Sequence, residues 1–390
     1  MKNNRTFLEK LLDGAEVEWK PLWSITTWDK RFNAVEKEKQ PKVIKYHYYL
    51  ASELKPLIVN GGNVKLLTTN ESDIWTTEEL VQNNISEGEI IAIPWGGNPI
   101  VQYYKGKFVT ADNRIATSNN TKILDNKFLY YFLLSKLDVI SSFYRGSGIK
   151  HPSMYHVLEM LIPIPPLPVQ TEIVKILDTL TALTSELTSE LTSELTLRRK
   201  QYEYYREKLL SFDSLEQLNM GGAKKKLIDV CINIFSGKNK ERNDSGLYPI
   251  YGSTGIIGKT NKKEFSNEQI LVARVGANAG YVHIAQGEYD VSDNTLIIQH
   301  NKNIDLKFLY HTLVNMKLNQ YAKGAGQPLI TAGQLKLMEI NVPPLEEQQR
   351  IVSILDKFET LTNSITEGLP LAIEQSQKRY EYYRELLLSF

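Results

Sequence analysis

The chain has 390 residues, 42% of them hydrophobic and 23% charged, which is enough for two domains of ordinary size, each with its own core. Its single cysteine, Cys231, excludes an intrachain disulfide and a cysteine-built zinc site, and the six histidines do not cluster at ligand spacing. A net charge of +1 does not announce a nucleic-acid binder; only residues 221–275, with ten Lys/Arg against five Asp/Glu, are locally basic.

The opening residues, MKNNRTFLEKLLDGAEVEW, lack the apolar core of a signal peptide. No later stretch approaches the roughly 18 apolar residues of a membrane span, so a cytoplasmic protein is expected. In the first domain, assigned to residues 1–161, residues 89–93 (EIIAI) read as a strand between Gly/Asn turns. KFLYYFLLSKL (127–137) reads as a helix, and FYRGSGIKHPSM (143–154) as a basic glycine loop. A conserved-looking spacer helix follows over residues 162–212. It opens at IPIPPLPVQTEIVKILD (162–178), where Pro-Pro-Leu suits an extended approach and a first helical turn. Apolar residues then recur at threes and fours through Ile173, Leu177, Leu180, Leu183, Leu187, Leu191 and Leu195, and the helix closes with KQYEYYREKLLSF (200–212). Three tandem Thr-Ser-Glu-Leu units occupy residues 184–195.

The second domain, residues 213–339, repeats the order with other residues. Residues 269–272 and 281–284 read as strands, KFLYHTLVNMKL (307–318) as a helix, and AKGAG (322–326) as a second glycine loop. A second spacer helix over 340–390 begins INVPPLEEQQRIVSILD and ends KRYEYYRELLLSF. Its stripe is Ile351, Leu355, Phe358, Leu361, Ile365 and Leu369, with a kink expected at Gly368 and Pro370. The beginnings and ends of the two helices are offset by the same 178 residues, so about 50 residues are duplicated without a gap. WKPLWSI (19–25) matches KKKLIDV (224–230), which makes the N-terminus the continuation of the unit that ends at Phe390. The expected fold is α+β: two mixed α/β domains separated by two long antiparallel, coiled-coil-like helices in a cyclic, pseudo-two-fold arrangement.

Catalytic signatures do not assemble. GSTGIIGKT (252–260) imitates a phosphate loop, but the required first glycine falls on Ser253. The Asp-Asn pairs at 112–113 and 293–294 lack a nuclease-like acid–acid–lysine arrangement and read as turn formers. No metal site and no catalytic residue is assigned. A self-contained modifying enzyme and a purely structural helical protein are the competing readings; the first lacks motifs, and the second leaves two divergent domains with paired basic glycine loops unexplained.

Two unlike domains joined by duplicated PPL-x-x-Q-x-x-I-V-x-I-L-D helices ending in YEYYRE-x-LLSF resemble the specificity subunit of type I restriction–modification systems. Trp28-Asp-Lys-Arg-Phe-Asn33 and the loop around Arg145 add to the likeness. The resemblance implies a subunit without catalysis of its own, each domain reading one half of a split, asymmetric double-stranded DNA site. It further implies that the helices carry two adenine-specific DNA methyltransferase subunits, joined by restriction and translocase subunits. S-adenosylmethionine then belongs to the methyltransferase, and this chain has no cofactor. In that role duplex reading calls for cations on phosphates and planar donor–acceptor groups on base edges. The candidates are Lys30, Arg31, Lys45, Asn98, Arg114, Arg145, Gly146, Gly148, Lys150 and His151 in the first domain. In the second they are Lys238, Lys240, Arg242, Tyr251, Ser253, Lys259, Arg274, Lys323, Gly324, Gly326 and Gln327. Partner docking is assigned to Tyr202, Tyr204, Tyr205 and Arg206 with their repeats Tyr380, Tyr382, Tyr383 and Arg384. The Thr-Ser-Glu-Leu tract is read as the ruler between the domains.

Overall fold

In the computed structural model the two Pro-Pro-Leu segments do one job twice. Residues 6–211, 223–240, 243, 245–324, 326–363 and 367–390 are described. Strand β1 (Glu18–Pro21) pairs antiparallel with β10 (Leu161–Ile164), and β11 (Ala223–Lys226) pairs in the same way with β19 (Glu339–Val342). Each pair delivers the chain into a spacer helix: Leu167–Leu210 in the first copy, about 66 Å long, and Leu345–Asn363 followed by Leu369–Leu387 in the second. The break in the second copy is the one Gly368 and Pro370 foretold. Gly368 sits at φ +91, where a Cβ would lie 2.7 Å from the Thr360 carbonyl oxygen, and Pro370 falls in the first turn of the resumed helix.

Each domain is built round four matching strands. In the first, β2 (Thr26–Trp28), β7 (Asn113–Ser118), β5 (Ser86–Pro94) and β6 (Gln102–Thr110) lie in that order, and β3 (Val64–Leu67) and β4 (Trp75–Thr76) extend the sheet to six strands. In the second, β12 (Cys231–Ser236), β18 (Thr295–His300), β15 (Gln269–Ala273) and β16 (Val282–Ala285) take the same order. There the additions form a separate sheet, β14 (Gly255–Thr260), β13 (Tyr248–Gly252) and β17 (Asp290–Val291). The central strands β5 and β15 are apolar on both faces because both faces are covered. Ile91 and Ile93 point into the main core of the first domain, while Ile90 and Ala92 point into a smaller cluster behind the sheet. Ile270 and Val272 face the main core of the second domain and Leu271 its smaller one. Cys231 is buried among these side chains, and burial pushes its thiol up to about 12, so it stays protonated.

The helices expected at 127–137 and 307–318 are Asn126–Ser135 and Leu306–Asn315. Asp125 and Asp305 cap them, each carboxylate accepting backbone N–H bonds of the first turn. A buried glutamine of each spacer helix then fixes the cap to the Pro-Pro turn. Gln170 accepts from the Asp125 N–H at 2.9 Å and donates to the carbonyls of Pro165 and Ile123. Gln348 accepts from the Asp305 N–H at 2.7 Å and donates to the carbonyl of Pro343. That is why glutamine stands three residues after Pro-Pro-Leu in both copies: an apolar replacement would leave a buried N–H and a buried carbonyl unpaired, at about 1–3 kcal/mol each. About two turns further along each spacer helix, Lys127 and Tyr131 grip Asp178 at 2.8 and 2.6 Å, and Lys307 and His311 grip Asp356 at 2.5 and 3.2 Å.

The compact units divide the helices between them. One holds residues 6–188 with Gln375–Phe390; the other is Ser189–Glu374. Each therefore contains a domain, the start of the helix that follows it and the end of the other copy, which is the cyclic arrangement the repeat implied. Ile173 and Leu177 share the first core with Leu387 and Leu388, and Ile351 and Leu355 share the second with Tyr202 and Leu210. In the second unit Tyr202 stacks on Phe358, and Arg199 donates to the Thr362 carbonyl, so the helices run antiparallel. The stripe is less buried than its periodicity suggested. Leu183 and Leu187, within and beside the tandem tract, are exposed, because burial is concentrated where the helix ends meet the domains. Ile365 lies outside the described residues.

Candidate nucleic-acid interface

The glycine loops are the same hairpin in both domains. In the first, Tyr144–Arg145 pairs antiparallel with His151–Pro152; in the second, Lys323 bridges to Leu329. The partner lies six positions after the basic residue in each case. Both tips need glycine at the same place: Gly146 has φ +141 and Gly324 φ +115, and a Cβ would sit 2.9 Å from the Ile149 carbonyl oxygen or 2.8 Å from that of Gln327. Each hairpin is fastened to the loop leaving the central strand. The Gly97 N–H donates to the Lys150 carbonyl at 3.0 Å, and the Gly276 N–H to that of Pro328 at 2.9 Å. His151 Nδ1 adds a bond to the Trp95 carbonyl, and Ile330 N–H one to that of Arg274.

The fastening leaves the tips bare. Arg145, Gly146, Gly148, Lys150 and His151 are exposed, as are Lys323, Gly324, Gly326 and Gln327. Asn98 is exposed on the adjoining loop. The exposed Lys30 ammonium lies 5.2 Å from the Trp95 ring, which also packs against His151. Exposed Lys45 completes the cationic residues of the first domain, and Arg31 is exposed but bound to the carbonyls of Gln40 and Pro41. In the second domain the Ser292–Asp293–Asn294 turn gathers the predicted residues: Arg274 donates to the Asp293 carbonyl, Ser253 to that of Asn294, and Lys240 approaches the Asp293 carboxylate at 3.9 Å. Lys238 and Lys240 line a cleft of about 1010 Å³ with Lys262, Asn239, Asn261 and Gln299. Those planar amides were not predicted; no spacing in the sequence marks them. Lys259 is exposed, and Arg242 lies outside the described residues.

Four assignments need correction. Arg114 is not a surface cation: its guanidinium is 2% exposed and bound to Asp29 and Asp112. Tyr251 is half-buried, edge-on to Tyr289 at 5.2 Å in the smaller core. Tyr202 and Tyr380 are buried against the two domains and are not available for docking. Their neighbours are: Tyr204 and Tyr205 meet edge-to-face at 5.4 Å and stay exposed, as do Tyr382 and Tyr383. Arg206 and Arg384 lie half-buried over Tyr202 and Tyr380.

A family model described as "Type I restriction modification DNA specificity domain" matches twice, at residues 33–197 and 222–375. The chain belongs to this family. A putative type I restriction enzyme specificity subunit of Haemophilus influenzae is 42% identical over 418 residues, covering all of both chains. The EcoprrI specificity subunit of Escherichia coli is 33% identical, over 93% of this chain and 92% of its own. Among solved structures, one described by complex assembly and conformational transition of the type I system covers 95% of this specificity subunit and 97% of its own chain, with a TM-score of 0.63 at 15% identity. At that identity the likeness speaks for the fold. This subunit's partners are thus the other subunits of a type I restriction–modification complex, and catalysis resides on those chains. Among the described residues no helix is long and apolar enough to cross a membrane.

The hairpins carry a direct prediction. Gly146→Ala or Gly324→Ala strains a left-handed backbone and drives a methyl group onto a carbonyl, at about 1–3 kcal/mol confined to one tip. Melting temperature should move by only a few degrees, whereas DNA affinity measured by fluorescence anisotropy should fall at least tenfold for either variant. Unchanged affinity would remove the hairpins from the interface.

Proposed function

We propose that each domain reads one half of a split, asymmetric duplex sequence, using its glycine hairpin and the cationic loops beside it. The observation that carries this reading is one hairpin, built alike and fastened alike, on two domains whose surrounding loops differ. Equivalent hairpins provide a common approach to the phosphate backbone, and unlike neighbours provide different base contacts. The exposed tyrosine pairs, at repeated positions on the spacer helices, suit the seating of two adenine methyltransferase subunits, with S-adenosylmethionine bound by those subunits. Restriction and translocase subunits then complete a cytoplasmic complex. Co-expression tests this: with its methyltransferase the chain should direct adenine methylation to one bipartite sequence, and binding should weaken steeply with salt as phosphate contacts are screened. Methylation by the lone chain would overturn the reading.

The continuous helix through residues 184–195 supports the ruler assignment. Each four-residue unit adds about 6 Å of rise, against about 3.4 Å per base-pair step. Deleting one unit should shorten the preferred spacer between half-sites by about one or two base pairs, read by sequencing methylated DNA; an unchanged spacer sinks the idea.

A further inference from the structure

The two units seat their domains on the spacer helices by equivalent contacts, with two substitutions between them. Where the first unit has Tyr131, Asp178 and Thr181, the second has His311, Asp356 and Glu359. In the first, the Tyr131 hydroxyl donates to Asp178 at 2.6 Å and lies 3.3 Å from the Thr181 hydroxyl. In the second, an imidazole faces two carboxylates: His311 Nε2 lies 3.2 Å from Asp356 Oδ1 and 4.0 Å from Glu359 Oε2. All three candidate ligand atoms lie within 4.8 Å of one another, the one such group among the described residues.

We propose that His311, Asp356 and Glu359 form a binding site for a divalent cation of the zinc class, which clamps the second domain's helix to its spacer helix. Ligand atoms held at about 2.0–2.1 Å round a tetrahedral ion stand about 3.3 Å apart. The His311–Asp356 separation of 3.2 Å already matches, and Glu359, at 4.0 Å from His311 Nε2, closes the remainder by a side-chain adjustment. One imidazole with two carboxylates is a set that zinc accepts. The outer contacts needed to aim such ligands are present as well. Lys307 holds Asp356 by Oδ2 at 2.5 Å, leaving Oδ1 turned to the histidine. His311 Nδ1 faces the Tyr202 hydroxyl at 3.5 Å, which assigns Nε2 to the cation, and Tyr202 is itself held by stacking on Phe358.

A second feature points the same way. A cavity of about 170 Å³ opens beside the group, lined by His283, Tyr310, Lys307, Asp356 and Glu359.

The duplication supplies the control variants. His311→Tyr and Glu359→Thr each install a residue the first unit already uses in the same seat, so both variants are expected to fold. The full-length chain is titrated with zinc chloride by calorimetry and with cobalt(II) by visible absorption. One equivalent of zinc should bind, with a cobalt d–d band, and both variants should bind at least tenfold more weakly while keeping the wild-type circular dichroism spectrum. Zinc at a hundredfold excess over its dissociation constant should raise the wild-type melting temperature by about 5–10 °C. No saturable binding, or the same binding in wild type and both variants, overturns the proposal.

Discussion

Substituting Leu387 and Leu388 together by alanine should unfold the first recognition domain, although these residues stand at the far end of the chain from it. Both are buried in the first core, beside Ile173 and Leu177, and Phe390 packs edge-on to Phe128 there at 6.1 Å. The C-terminus thus completes a core whose sheet ends at Ser118. A buried Leu→Ala change costs about 2–5 kcal/mol through lost transfer energy and the cavity left behind. Two of them consume much of the about 5–15 kcal/mol that holds a domain together. Hydrogen exchange read by mass spectrometry should show protection lost in β5 and β7 and kept in β15 and β18. Equal loss in both domains, or in neither, contradicts the cyclic arrangement of the cores.

The second large effect is expected at Asp29. Its carboxylate is fully buried, accepting from Arg114 Nη1 at 3.0 Å, from the Tyr48 hydroxyl at 2.6 Å and from the Ile115 N–H at 3.0 Å. The Arg114 guanidinium lies 4.7 Å from the Trp95 ring, on the loop to which the hairpin is fastened. Asp29→Ala leaves a buried guanidinium short of a counter-charge and should cost about 3–5 kcal/mol in denaturant unfolding. The double variant Asp29→Ala with Arg114→Met removes both charges and should recover at least half of that loss. A double variant less stable than Asp29→Ala would refute the stranded-charge account.

These two cases also mark where the sequence stops being readable. The spacer helices, the central strands and the domain helices were legible because each is written in a local period, and the gap-free duplication read the same pattern out twice. Gly368 and Pro370 announced the helix break through backbone chemistry alone. Arg114 misled because its buried partner, Asp29, is 85 residues away, and the neighbouring Asp112 gives no sign of burial. Tyr202 and Tyr380 misled for a related reason: four aromatics and basic residues on one helical turn cannot all face one way, and only packing decides which turn inward. Leu183 and Leu187 kept the helical period without acquiring a buried face. Within the interface, the hairpins were legible from glycines flanked by basic residues, whereas the amides of the second domain's cleft come from three separate loops and strands.

The central claim is that two unlike domains read two unlike half-sites. Its most direct test is single-molecule sequencing of methylated genomic DNA from cells with the wild-type gene, without it, and with Lys323→Ala plus Gln327→Ala. Adenine methylation should mark one bipartite, asymmetric sequence in the wild type, vanish without the gene, and in the variant relax or fade at one half-site only. Methylation that persists without the gene, or a variant that disturbs both half-sites equally, would contradict the account.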